Sequence, residues 1–305
     1  MRWRGNRQSD NIEDRRGMRA ARSGRFGGGG GALRLLPVVI KFLGVKGTLI
    51  AVALFIGYGL FSGTLSQMLG GGGFQEQSAR QTGGNVSQSA QEKELVQFIS
   101  VVLADTEDTW HALFQEMGRE YKEPRLVLYR QSINSGCGFG SAEMGPFYCP
   151  ADQKVYLDLS FYEDLRNRYQ APGDFAQAYV VAHEIGHHVQ TLTGISRKVQ
   201  EAKQGMDSTR SNQLSVRQEL QADCFAGIWA HHADRSRQIL EAGDVEEGLT
   251  AASAIGDDRL QKQSRGYVTP DSFTHGSSRQ RVKWFGIGLK VGTLKACDTF
   301  SSKNL

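Results

Sequence analysis

Residues 174–192 read DFAQAYVVAHEIGHHVQTL, and the reading of this stretch decides the fold. Phe175, Tyr179, Ala182, Gly186 and Val189 recur three and four residues apart, which is the spacing of one face of an α-helix. Pro172 and Gly173 interrupt the chain just before it, Asp174 suits a helix N-cap, and Gly194 follows its end. On the predicted helix stands His183-Glu184-Ile185-Gly186-His187. Residues four apart lie one turn above each other, so the two imidazoles can grip one zinc ion. Glu184 is turned about 100° from His183, within reach of a water on the metal, which is the place of a general base.

A catalytic zinc ion takes three protein ligands and keeps one position open. A third histidine in the pattern H-E-x-x-H-x-x-G-x-x-H would need Gly at 190 and His at 193, where the chain has Gln190 and Thr193. A later helix, read over 212–234 with Leu220, Phe225 and Trp229 toward the core, carries Glu219-Leu220-Gln221-Ala222-Asp223. Glu219 is the candidate third ligand. Asp223, one turn on, can accept the other ring N–H of a ligand histidine and fix its tautomer. His188 points about 100° away from His187 and is placed on the helix flank. His275, in a turn before a helix with Val282, Phe285 and Leu289, is a candidate for stabilising the oxyanion, with a plain turn histidine as the equal alternative. Arg281 either pairs with a buried carboxylate or faces solvent. His111, His231 and His232 carry no spacing that argues for function.

Upstream, residues 94–118 have mostly helical spacing, with Leu95, Phe98, Val102, Trp110 and Leu113 as core candidates, and read as one or two amphipathic helices. Residues 126–130 and 155–161 read as strands of a small sheet. The second of these is expected to be the edge along which an extended peptide pairs. The polar connection 195–211 has no legible shape. These readings together give an α+β fold, a mainly helical domain with a small sheet over residues 93–305.

The overall charge of +4 is uneven. Residues 1–46 hold nine Arg and two Lys against three acidic residues, a net +8, which leaves the remainder with 25 basic and 29 acidic residues, a net −4. A nucleic-acid groove on the main domain is therefore not expected. Gly47 to Leu65 contains no charged residue across 19 positions, long enough to span a bilayer core. The basic residues before it set the topology as 1–46 in the cytoplasm, 47–65 through the inner membrane, 66–92 a Gly/Gln/Ser linker and 93–305 outside. The rival, a cleavable signal peptide, would have an unusually long basic region and no small-residue cleavage pattern close behind the apolar run. All four cysteines fall after the anchor, and an even number in an oxidising compartment points to two disulfides. The turn-rich interval favours Cys137 with Cys149, and Cys224 with Cys297 follows by elimination.

With these residues in view, the N-terminal RWRGNRQSDNIEDRRG, CGFGSAEMGPFYCPADQKVYLDLSF, HEIGHHVQ, ELQADCFAGIWA and THGSSRQR together resemble the bacterial "putative neutral zinc metallopeptidase" family. The resemblance implies a zincin-like domain and a gluzincin-like site, with His183, His187 and Glu219 holding Zn2+ and Glu184 as acid/base. The expected activity is peptide-bond hydrolysis of a peptide or protein substrate. A zinc-stabilised scaffold or protein-binding module is the alternative, and it would leave Glu184 without a purpose.

Overall fold

A computed structural model describes residues 1–18 and 88–305. The apolar stretch 47–65 and most of the basic tail and linker lie outside the described residues. Among the described residues, no helix is long and apolar enough to cross a membrane.

The first helix of the domain is α1, Ala90–Glu116, whose N-cap Ser89 accepts a hydrogen bond from the Glu92 amide. It is one continuous helix, with Phe98, Ile99, Val102, Leu103, Trp110 and Phe114 facing the core. Beside it stands a sheet of four strands, the first of which precedes α1 in the chain: β1, Ile12–Asp14; β2, Arg125–Tyr129; β5, Phe147–Cys149; and β6, Lys154–Asp158. Their order is β1-β2-β6-β5, with β1, β2 and β6 parallel and β5 antiparallel to β6. A separate hairpin joins β3, Ser132–Ser135, to β4, Gly138–Ser141.

Three expectations are corrected here. Residues 1–18 are not part of a separate tail: β1 pairs with β2 in the register Ile12↔Leu126, Glu13↔Val127 and Asp14↔Leu128. The sheet edge facing away from β1 is β5, because β6 is flanked on both sides. Residues 155–161 are not one strand either, since Asp158 accepts from the amide and hydroxyl of Ser160 and so starts helix α2, Ser160–Asn167.

The metal-motif helix is α3, Asp174–Leu192. Asp174 is its first residue and not its cap; its carboxylate instead receives the Met1 amino nitrogen at 2.7 Å. The connection with no legible shape contains helix α4, Ile195–Lys203. It leads to α5, Ser208–Arg237, the longest helix among the described residues, capped by Asp207. Helices α6, Asp244–Ala254, α7, Asp257–Arg265, and α8, Ser278–Val291, complete the domain. Both disulfides pair as expected, Cys137–Cys149 and Cys224–Cys297, with Cα atoms 5.7 and 5.6 Å apart. The first ties the hairpin to β5 and the second ties α5 to the chain after α8.

Helix α3 lies between the sheet side and α5, and α5 packs closely on both α3 and α8. Small residues permit the approach: a Cβ on Gly186 would stand 2.9 Å from the Ala222 carbonyl oxygen, and one on Gly288 would stand 1.9 Å from that of Cys224. Gly186 therefore sets the distance between the helix carrying the two histidines and the helix carrying Glu219.

Candidate active site

The histidine pair and the glutamate converge as their helices cross. Glu219 Oε2 lies 3.2 Å from His183 Nε2 and 3.3 Å from His187 Nε2. Ligand atoms of all three residues fall within 4.8 Å of one another.

The far sides of both rings are already committed. His183 Nδ1 donates to Asp223 Oδ1 at 2.8 Å. His187 Nδ1 meets Gln190 Oε1 at 2.9 Å, and the Gln190 amide nitrogen donates to the Gln218 carbonyl and to Gln221 Oε1, so that its oxygen must accept. With both Nδ1 protons pointing backward, both Nε2 lone pairs point at a carboxylate. Three electron-pair donors facing one another need positive charge between them, a proton or a metal ion, and two imidazoles with one carboxylate are the donor set of a catalytic zinc ion. The chemistry of the residues therefore fits the metal.

Local electrostatics agree. Burial works to raise the Glu219 carboxyl, but His187 and His183 hold it well below the usual carboxylate range. Burial likewise opposes protonation of His187, yet Glu219 outweighs it and brings this imidazole to about 9. The position attracts positive charge strongly.

Asp223 is fully buried and accepts four hydrogen bonds: from Tyr179 Oη at 2.5 Å, from His183, and from Arg281 Nε and Nη2 at 2.9 Å each. Burial alone would raise its carboxyl, but Arg281 and His183 bring it to about 2. Arg281 is thus paired, not solvent-facing. It also donates to the Ile255 carbonyl, which ties α8 to the end of α6.

Glu184 is 7% exposed and lines the same cleft as His183, His187 and Glu219. The cleft is about 690 Å³ and is bounded by Pro146, Phe147 and Tyr148 on one side and by His275 on another. His275 is therefore brought to the site. Its Nδ1 lies 3.2 Å from Asp257 Oδ1, and Asp257 Oδ2 accepts from the amides of Thr274, His275 and Gly276. This carboxylate fixes both the loop and the ring, and it raises the pKa of His275.

His188 is buried, with its ring between the Lys122 carbonyl at 2.6 Å and the Tyr148 hydroxyl at 3.1 Å. His111 pairs with Glu123 at the surface, and His231 and His232 meet the backbone carbonyls of Leu289 and Gly292. Sequence reasoning missed Gln190, Tyr179 and Asp257. The first two carried a usable signal, lying three residues after His187 and four before His183 on the same helix. Asp257 carried none, because it reaches His275 only through the folding of the loop between them.

The family described as "Putative neutral zinc metallopeptidase" matches residues 1–300. "Uncharacterized protein YpfJ" of Escherichia coli strain K12 is 50% identical over 301 residues, which cover 98% of this chain and 99% of that protein. "Uncharacterized protein Mb2605" of Mycobacterium bovis is 39% identical over 218 residues, 68% of this chain and 73% of that protein. No solved structure matches the chain. A family match over nearly the whole length, N-terminal strand included, and a full-length relative at 50% identity place the chain in the "Putative neutral zinc metallopeptidase" family.

Proposed function

We propose that this protein is a zinc-dependent endopeptidase with His183, His187 and Glu219 as metal ligands and Glu184 as general base. The observation that carries the reading is the convergence of three electron-pair donors beside a buried Glu184 in one open cleft. Zinc in this site supplies Lewis acidity, to water and to the carbonyl oxygen of a peptide. Glu184 takes the proton of the attacking water and delivers it to the leaving amine. His275, held by Asp257, faces the cleft as a donor for the oxyanion.

Phe147 and Tyr148 of β5 line the cleft, and β5 is an edge of the sheet. An extended substrate adds there as a further strand, past Pro146, Phe147 and Tyr148. The walls also carry Phe161, Tyr169, Val180 and Leu260, which favour an apolar substrate side chain. The two disulfides support an oxidising compartment for the domain.

The test is zinc stoichiometry and peptide cleavage on equally folded proteins. Glu184→Gln should keep zinc and lose cleavage, whereas a scaffold would keep both zinc and function. Glu219→Ala should lose zinc as well as cleavage. A Glu219→Ala protein that binds zinc as tightly as wild type would make another group the third ligand and overturn the assignment.

A further inference from the structure

The first 18 residues belong to the same compact unit as residues 88–305. The Trp3 ring, 6% exposed, packs edge-on against Phe98 with centroids 5.4 Å apart. Ser9 exchanges backbone and side-chain bonds with Ser100, and its hydroxyl donates to the buried Glu107. Arg16 is 4% exposed and pairs with Asp14 and, at 2.8 Å, with Glu92. Arg4, Arg7 and Arg16 thus meet carboxylates of α1, Arg4 with Glu94 and Arg7 with Glu107 and Asp108.

The chain therefore leaves the fold after Met18 and is back in it at Gln88. An extended residue spans at most about 3.6 Å, so Ser23 lies within about 18 Å of the fold and Gln81 within about 25 Å. The hydrocarbon core of a bilayer is about 30 Å thick. Neither position reaches the far side of a membrane from the domain.

We propose that the first residues of the chain and the metal site face the same side of the membrane, so that the chain between residues 18 and 88 crosses it an even number of times or not at all. A single pass with a cytoplasmic N-terminus would separate β1 from β2 by a bilayer. It would also strand Trp3 and Arg16 away from their partners. The count of basic residues and the pairing of β1 make opposite demands on Ser23.

The proposal is tested in the full chain carrying Glu184→Gln, which removes self-cleavage and makes the outcome independent of the peptidase reading. Recognition sites for a sequence-specific protease are inserted after Ser23 and after Gln81, singly and together, and the protease is added to spheroplasts and then to lysed cells. The expected result is the same behaviour at both sites, either both cut in spheroplasts or both protected until lysis. One site cut and the other protected overturns the proposal. After double cleavage in detergent, the N-terminal fragment should stay bound to the domain under native conditions and separate only on unfolding. A fragment that separates without unfolding also overturns it.

Discussion

Asp223 gathers a phenol, an imidazole and a guanidinium on one carboxylate, and so decides where His183 points. Asp223→Asn keeps the shape and removes the charge; it should weaken zinc binding roughly 10- to 100-fold, measured by competition with a chelator. Unchanged affinity would mean that packing alone orients the ring. Gln190→Ala should act on His187 in the same direction, because it removes the acceptor on that ring's far side. His188 gives a separate handle through pH. Burial pushes its pKa down to about 4, whereas the unfolded chain takes up the proton near about 6.5. Its contribution is therefore fully present above about 6.5 and is lost as pH falls toward about 4, by roughly 2 kcal/mol at pH of about 5. Urea unfolding of metal-free protein should show a steeper loss of stability on acidification for wild type than for His188→Gln. Parallel curves would remove His188 as a cause. The five residues His183, Glu184, His187, Glu219 and Asp223 were legible because helical spacing alone puts each group on a defined face. Asp257 was not, since no periodicity links it to His275.

Elements meet in this protein through glycine. Gly186→Ala places a methyl 2.9 Å from the Ala222 carbonyl oxygen, in a contact with no flexible side chain to give way. The substitution should push α3 from α5, cost about 1–3 kcal/mol and weaken zinc binding, because the two helices carry different ligands. Calorimetry and metal titration on the same sample check both effects. A stable variant with undiminished affinity would show that the crossing is not set there. The Cys224–Cys297 bridge closes a sequence separation of 73 residues, and chain entropy for such a loop gives about 4 kcal/mol. The double Cys→Ser variant should lose stability of that order in urea. The long helices α1, α3 and α5 were readable from their apolar spacing. Strand β5, of three residues, and the β3–β4 hairpin were not: such short runs carry too few alternations to stand out, and they are held by neighbours and a disulfide.

Across the whole molecule, Trp3 tests the assembly. If residues 1–18 are part of the core, Trp3→Ala should destabilise the domain by about 3 kcal/mol or more, read as a lowered midpoint in thermal or urea unfolding; a free tail would show no change. The sequence by itself picked out the candidate groups: the His183, Glu184 and His187 pattern on one helix, the Glu219 and Asp223 pair on another, and an even number of cysteines. Those features depend on spacing within one helix or on residue type, and both are local. Only the tertiary structure decided that β5 and not β6 forms the sheet edge at the cleft, that Asp257 holds His275, and that the N-terminal residues complete the sheet. The reason is physical. Composition counts the charges of Arg7 and Arg16 but not the carboxylates that meet them, and the pairing of β1 with β2 joins residues more than a hundred positions apart, a separation over which no local pattern survives.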